Sequence, residues 1–243
     1  MKPKLLNQTL NERDPFDIFK PTRLEIEGYL RDVKIGNKWL GGTSVIMRHL
    51  THLISSYPTR QPIRILDLAT GLADIPMSIV RWARRQGIAV CITAVDKNPI
   101  VVELARQYVR SYPEIAIYQQ DILQLPFKEG SFDFITCSQI IHHLSKDDVI
   151  LLLHSANQIA LQGIVVSDLR KRTLCILAAD IGALFIKNKL SKYDLQLSFR
   201  SAFSPTELLD IAHEAGLPHV SLHFHGPCRI AMVVDKKMLI NQQ

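Results

Sequence analysis

The spacing of apolar residues along the chain changes near position 63. Before it, Leu24, Ile26, Tyr29, Leu30 and Val33 recur at helical intervals and predict a helix over 22–35, broken by Gly36. Ile46, Leu50, Leu53 and Ile54 predict a second helix that Thr43 can cap, and Pro58 and Pro62 mark a loop after it. From Ile63 onward, short runs rich in Ile and Val alternate with helical stretches. They predict strands at 63–69, 90–95, 115–119, 132–137 and 163–167, with helices at 74–86, 98–110, about 146–160 and 173–188. That alternation implies a parallel sheet covered by helices on both faces. Farther on, Ser204, Pro205, Glu207 and Gly216 have the order of a helix cap, first turn, capping box and stop. The segments HVSLHFHG and RIAMVVD, joined at Gly226-Pro227, predict an antiparallel hairpin on the sheet edge. The fold class is therefore α/β, doubly wound.

Composition narrows this only a little. A chain of 243 residues suits one large domain or a domain with a cap. The expected division is an N-terminal helical segment over 1–60, opening with a polar arm at 1–20, and a main domain over 61–243 with a helical insertion at about 170–200. No run of eighteen apolar residues occurs, so no membrane span is expected. The apolar segment LCILAADIGALFI is too short to cross a bilayer and predicts a buried helix or a cap over a pocket. The amino terminus turns polar too soon for a secretory signal. Cys91, Cys137, Cys175 and Cys228 form no CxxC pair and no metal-ligand spacing. They read as small core residues of a protein in reducing cytoplasm, and no metal is expected. The net charge of +6 raises nucleic acid as a partner. Yet Arg81, Arg84 and Arg85 have the spacing of a solvated helix face, which disfavours it.

Candidate chemistry gathers at the strand ends. In ILDLATGLADIP a strand runs into a tight loop and a helix, with Gly71 where φ can be positive and Ala69 and Ala73 admissible if φ stays negative. Asp74 is placed to cap the helix, which disfavours a pyrophosphate and favours a ligand with a cationic or neutral centre. No GxxxxGK[ST] loop occurs. Asp96, at the end of the second strand with Lys97 beside it, can accept bonds from both ribose hydroxyls of an adenosine. Asp121, after the third strand, can accept from an adenine amino group, with the Ile122 backbone on the ring nitrogen and Leu123 or Ile100 on its face. Asp67 could bind the ligand's amino group or orient the loop.

In this order, ILDLATGLA, AVDKNP and QQDILQLPFKEGSFDFITCSQIIHHL resemble the successive motifs of the class I S-adenosylmethionine-dependent methyltransferases, over about residues 60–170. The upstream NKWLGG resembles the small-molecule, quinone-type branch. The resemblance implies a Rossmann-like seven-stranded sheet and S-adenosylmethionine as cofactor, held by Asp67, Ala69, Gly71, Asp96, Lys97, Asp121, Ile122 and Ser138. It implies methyl transfer to a small, partly hydrophobic acceptor, aromatic, quinone-like or polyketide-like. After the fourth strand, Gln139 would face donor and substrate, and His142 or His143 could serve as a base, since imidazole titrates near neutrality. Asp168, Arg170, Phe185 and Arg200 are expected in the substrate pocket, with Tyr193, Phe199 and Phe203 as further lining. The expected partner is a small molecule, and a homodimer is compatible with it. Rival readings are an RNA methyltransferase, a cofactor-binding cyclase or rearrangement catalyst that transfers no methyl group, and a nicotinamide oxidoreductase, the last weakened by the missing GxGxxG.

Overall fold

The computed structural model of the protein describes residues 15–39, 41–56, 62–217 and 219–237; most of the N-terminal arm and Pro58 lie outside them. In chain order the elements are α1 (Pro15–Phe19), α2 (Arg23–Trp39), α3 (Gly42–Ser56), β1 (Ile63–Leu68), α4 (Asp74–Gln86), β2 (Val90–Asp96), α5 (Pro99–Tyr108), β3 (Ile115–Gln119) and β4 (Phe132–Ser138). A 3-10 turn (Ile141–His143) leads to α6 (Lys146–Ile159), β5 (Ala160–Leu169), α7 (Thr173–Ala183), α8 (Lys189–Ser201), α9 (Pro205–Glu214), β6 (Val220–His225) and β7 (Arg229–Asp235). The seven strands form one sheet in the order β3-β2-β1-β4-β5-β7-β6. β1 to β5 pair in parallel, and β7 runs antiparallel to both β5 and β6.

Both faces of the sheet are covered, so the central strands are apolar nearly throughout. In β1, Ile63 and Ile65 pack under α3 and α4, whereas Leu66 and Leu68 pack on the other face under α6 and α9. Helix α3 belongs to the sheet's own core through Ile46, Leu50 and Leu53. The α9 start follows its sequence signals: Ser204 and Glu207 form a reciprocal capping box with Pro205 in the first turn.

Three local expectations are corrected. Gly36 does not end α2, which continues to Trp39. The helix is anchored by Ile26 and Leu30, and tertiary packing of this kind overrides a glycine cost of about 1 kcal/mol. The insertion is two helices, and α8, capped by the Asn188 side chain, carries no strong apolar period to announce it. Cys175 and Cys228 are joined in a disulfide across 53 positions, tying α7 to the head of β7. Only Cys91 and Cys137 are free, so two of the cysteines behind the cytoplasmic expectation sit in a bond that reducing cytosol disfavours. Among the described residues no helix is long and apolar enough to cross a membrane.

Candidate functional site

The strand order reverses between β1 and β4, and in an open α/β sheet the crevice beyond such a point is where ligands bind. A cavity of about 260 Å³ lies there. Asp67, Ala69, Gly71, Asp96, Lys97, Asp121, Ile122 and Ser138 all line it, and Leu123 does too, but Ile100 does not. The β1–α4 loop gets its shape from three left-handed residues, Ala69 (φ 53), Gly71 (φ 54) and Ala73 (φ 56). Negative φ was the sequence expectation for both alanines. The turn instead needs the left-handed region at all three positions, and each alanine bears a cost of about 1–2 kcal/mol there. Ala69→Gly is therefore expected to raise stability by about 1 kcal/mol in urea denaturation, since the Ala69 methyl is only half-buried. Ala73→Gly should gain less, because that methyl is wholly enclosed in the core.

The carboxylates are held by the backbone around them. Asp96 accepts from the Gly71 N–H at 3.2 Å and the Asn98 N–H at 3.0 Å, so β2 pins the loop after β1. Asp121 accepts from the Leu123 N–H at 2.9 Å. Asp67 is 2% exposed and accepts from the Thr136 hydroxyl of β4 at 2.6 Å. Burial raises its pKa to about 7, with the nearby charges of Asp74 and Asp96 adding to the rise and the Thr136 bond opposing it. Asp74 does not cap α4. The cap position is Ala73, and Asp74 lies in the first turn with its Oδ2 taking bonds from Asn37 (3.3 Å) and Thr43 (3.2 Å). It thus fastens α2 and α3 to the loop, and burial raises its pKa as well.

A second cavity, of about 600 Å³, adjoins the first and shares Tyr29, Val33, Gln139 and His143 with it. Its far wall is α8, through Ser191, Asp194, Leu195 and Phe199, with Phe185 and the residues just after it. Gln139 stands at the junction with φ 54, a strained backbone of the sort concentrated at functional sites. Its Oε1 accepts from Arg229 at 3.1 Å and its Nε2 donates to Asn37, which donates on to Asp74. The two adjacent histidines part company. His142 is 4% exposed and its Nδ1 lies 2.5 Å from Asp168. Burial pushes the His142 pKa down, but the Asp168 charge and hydrogen bond outweigh that and hold it above the ordinary value. His143 lines both cavities, with its Nε2 3.5 Å from Asp194.

Five other sequence expectations meet different surroundings. Asp168 lines neither cavity and lies beneath the 3-10 turn, accepting from the Ile141 and Leu169 N–H groups at 3.0 and 2.6 Å. Arg170 lies over the Phe224 ring at 4.2 Å, outside both cavities. Arg200 lines neither and pairs with Asp180 at 2.8 Å, a contact between α8 and α7 made possible by the helix that the sequence did not announce. Tyr193 packs on Phe19, and Phe203 on the core beneath the sheet. His223 and His225 pack against His49 of α3, away from both cavities. The sequence reading missed Asn37, Asp194 and Arg229. Two of them had a visible signal: Arg229 heads the strand RIAMVVD, apolar from there to Asp235, and Asn37 opens the NKWLGG stretch. Among the described residues no group of His, Cys, Asp and Glu could hold a metal.

Residues 65–163 match the family model described as a methyltransferase domain. The ubiquinone/menaquinone biosynthesis C-methyltransferase UbiE of Citrifermentans bemidjiense is 35% identical over 78 residues, 31% of this chain and 32% of that protein. The demethylmenaquinone methyltransferase of Deinococcus radiodurans is 35% identical over 78 residues, 32% of this chain and 31% of that protein. The matched stretch thus spans about a third of these curated relatives. The plantazolicin methyltransferase BamL, solved with a desmethyl-plantazolicin analogue and S-adenosylhomocysteine, superposes with a TM-score of 0.66 at 11% identity, over 96% of this chain and 98% of that one. The CurJ carbon methyltransferase also has a TM-score of 0.66, at 14% identity, over 96% of this chain and 67% of that one. The match and the fold agree: residues 65–163 match a methyltransferase domain, and the sheet and its flanking helices have the fold of solved methyltransferases.

Proposed function

We propose that the protein transfers a methyl group from S-adenosylmethionine to a small, partly hydrophobic molecule bearing an acidic oxygen or carbon. The observation that carries this reading is the pair of adjoining cavities, one ringed by carboxylates and one walled by α8, meeting at Gln139 and His143. The first suits a cationic nucleoside. Asp67, Asp74 and Asp96 line it together, burial lifts the Asp67 pKa to about 7 with the charges of Asp74 and Asp96 adding to it, and the buried Ser138 hydroxyl has no hydrogen-bond partner among the described residues. Asp96 would hold the ribose, Asp121 and Ile122 the adenine, and Asp67 with Ser138 the amino-acid end. When bound, the cofactor supplies a methyl group on an electron-poor sulfonium.

The chain's own residues supply the rest. Gln139, fixed between Arg229 and Asn37, sets the boundary between donor and acceptor. His143, paired with Asp194, takes the acceptor's proton. Arg229 lines the second cavity and places positive charge where an acceptor oxygen would ionise. The second cavity has the size of a small-molecule site, which favours a metabolite over RNA. The acceptor class rests on this lining and on the quinone methyltransferases among the similar proteins.

Calorimetry with S-adenosylhomocysteine tests the donor site. Asp96→Ala should weaken binding by about tenfold to a hundredfold, the cost of a lost hydrogen bond to a charged group. Binding of S-adenosylmethionine should strengthen as pH rises through 7, because ionised Asp67 attracts a cation and protonated Asp67 does not. Absence of binding at millimolar ligand rejects the reading. Incubation with phenolic and quinone acceptors, followed by mass spectrometry for one added methylene, tests the acceptor class.

A further inference from the structure

Helix α7 has one side in the protein and one side out. Cys175, Ala179 and Ala183 are buried, and the first two pack toward Leu169, Phe199 and Ala202. On the other side Leu174 is 63% exposed, Leu177 57% and Ile181 52%, and Leu184 and Phe185, just past the helix end, reach 73% and 81%. At 3.6 residues per turn, 174, 177, 181 and 184 fall on one stripe. A contiguous apolar stripe of this kind marks a contact surface.

Charge identifies what it contacts. Between positions 170 and 192 the chain has six bases and one acid. Arg170, Lys171 and Arg172 immediately precede the helix, and Lys187, Lys189 and Lys192 follow it. All but Arg170 are exposed. The single acid, Asp180, is already engaged by Arg200. An apolar helix face bracketed by cations is the arrangement of helices that lie in a bilayer interface. A second copy of the chain would bring two such basic borders together and repel itself. Nucleic acid would satisfy the bases and leave the leucines in contact with phosphate and water. An anionic lipid surface satisfies both.

We propose that the α7 face and the turn after it dock the protein on anionic membranes. Leu174, Leu177, Ile181, Leu184 and Phe185 enter the boundary between headgroups and acyl chains, and the flanking bases engage the lipid phosphates. Phe185 belongs both to this face and to the wall of the second cavity, so docking sets that cavity beside the bilayer. The consequence, that a hydrophobic acceptor is drawn from the membrane, rests on the function proposed above; the docking itself does not.

The test is sedimentation of the full chain with vesicles of phosphatidylcholine, alone or mixed with phosphatidylglycerol. Binding is expected to the mixed vesicles, far less to phosphatidylcholine alone, and to weaken as salt is raised. The pair Leu177→Ser/Leu184→Ser should weaken binding by about tenfold or more per leucine. Lys171→Glu/Arg172→Glu should weaken it by at least about fivefold for each charge. Calorimetry with S-adenosylhomocysteine should give the wild-type affinity in both variants, which shows that they are folded. Failure of the wild type to bind mixed vesicles overturns the proposal, as does undiminished binding by both folded variants. A lipid-free dimer broken by the leucine pair also overturns it and assigns the face to a second copy. Should the wild type bind vesicles and not S-adenosylhomocysteine, docking stands and the functional reading falls.

Discussion

Replacing Asp168 with alanine is expected to cost about 3–5 kcal/mol of folding stability, the range for removing one partner of a buried ion pair. Asp168 is 3% exposed and serves several donors at once. Its Oδ1 meets His142 Nδ1 at 2.5 Å and the Leu169 N–H at 2.6 Å, and its Oδ2 accepts from the Ile141 N–H at 3.0 Å. Alanine would strand these donors and leave an imidazolium without its counter-charge. Asp168→Asn should cost less, because it keeps the volume and one acceptor oxygen. The pH profile identifies the cause. Burial raises the Asp168 pKa, but the charge and hydrogen bond of His142 outweigh it, so the folded value lies below the unfolded 3.8. For His142 the folded value lies above the unfolded 6.5. Near pH 3.8 the unfolded chain binds more protons at Asp168, so that contribution grows with pH and is lost as pH falls through the folded value. Above 6.5 the folded chain binds more protons at His142, so that contribution shrinks as pH rises through its folded value. The pair therefore stabilises most between 3.8 and 6.5. In urea denaturation the difference in stability between wild type and Asp168→Ala should carry both slopes; a loss below 1 kcal/mol would mean that the pair contributes nothing net.

His143→Gln is expected to lower kcat by about 10²–10⁴-fold, the usual effect of removing a positioned base, while S-adenosylhomocysteine affinity changes little. His143 is the histidine that lines both cavities, and Asp194 stands 3.5 Å from its Nε2. His142 lines only the second cavity, and its Nδ1 is engaged by Asp168. Without a base, the rate should climb with pH as the acceptor loses its proton to solvent, so the pH–rate profile would change shape as well as height. Asp194→Asn should reduce kcat less, since the imidazole stays. An unchanged kcat in His143→Gln would remove the base from the mechanism and leave alignment of donor and acceptor as the source of rate.

Much of this site could be located from the sequence because its parts are tied to strand ends. Asp67 lies next to the end of β1, Asp96 ends β2 and Asp121 follows β3, each run marked as a strand by its length and composition, and three parallel strands in register carry their ends to one edge. The acceptor side was far less legible. Asp168, Arg170 and Arg200 were assigned to a pocket on their position in the chain, and each is engaged elsewhere by a partner the sequence did not indicate: His142, the Phe224 ring and Asp180. The Cys175–Cys228 bond escaped notice for the same reason, since spacing alone pairs no cysteines across 53 positions.

The chain's own order of residues was enough to determine the parallel sheet, its edge hairpin, the capped start of α9 and the crevice at the β1–β4 reversal. Those features arise from periodicity and capping, interactions among residues a few positions apart. The left-handed alanines, the different surroundings of His142 and His143, the approach of Arg229 to Gln139 across 90 positions and the outward face of α7 were decided only in the folded molecule. Each depends on which distant surfaces meet and which charges lose water together, and no local pattern encodes that.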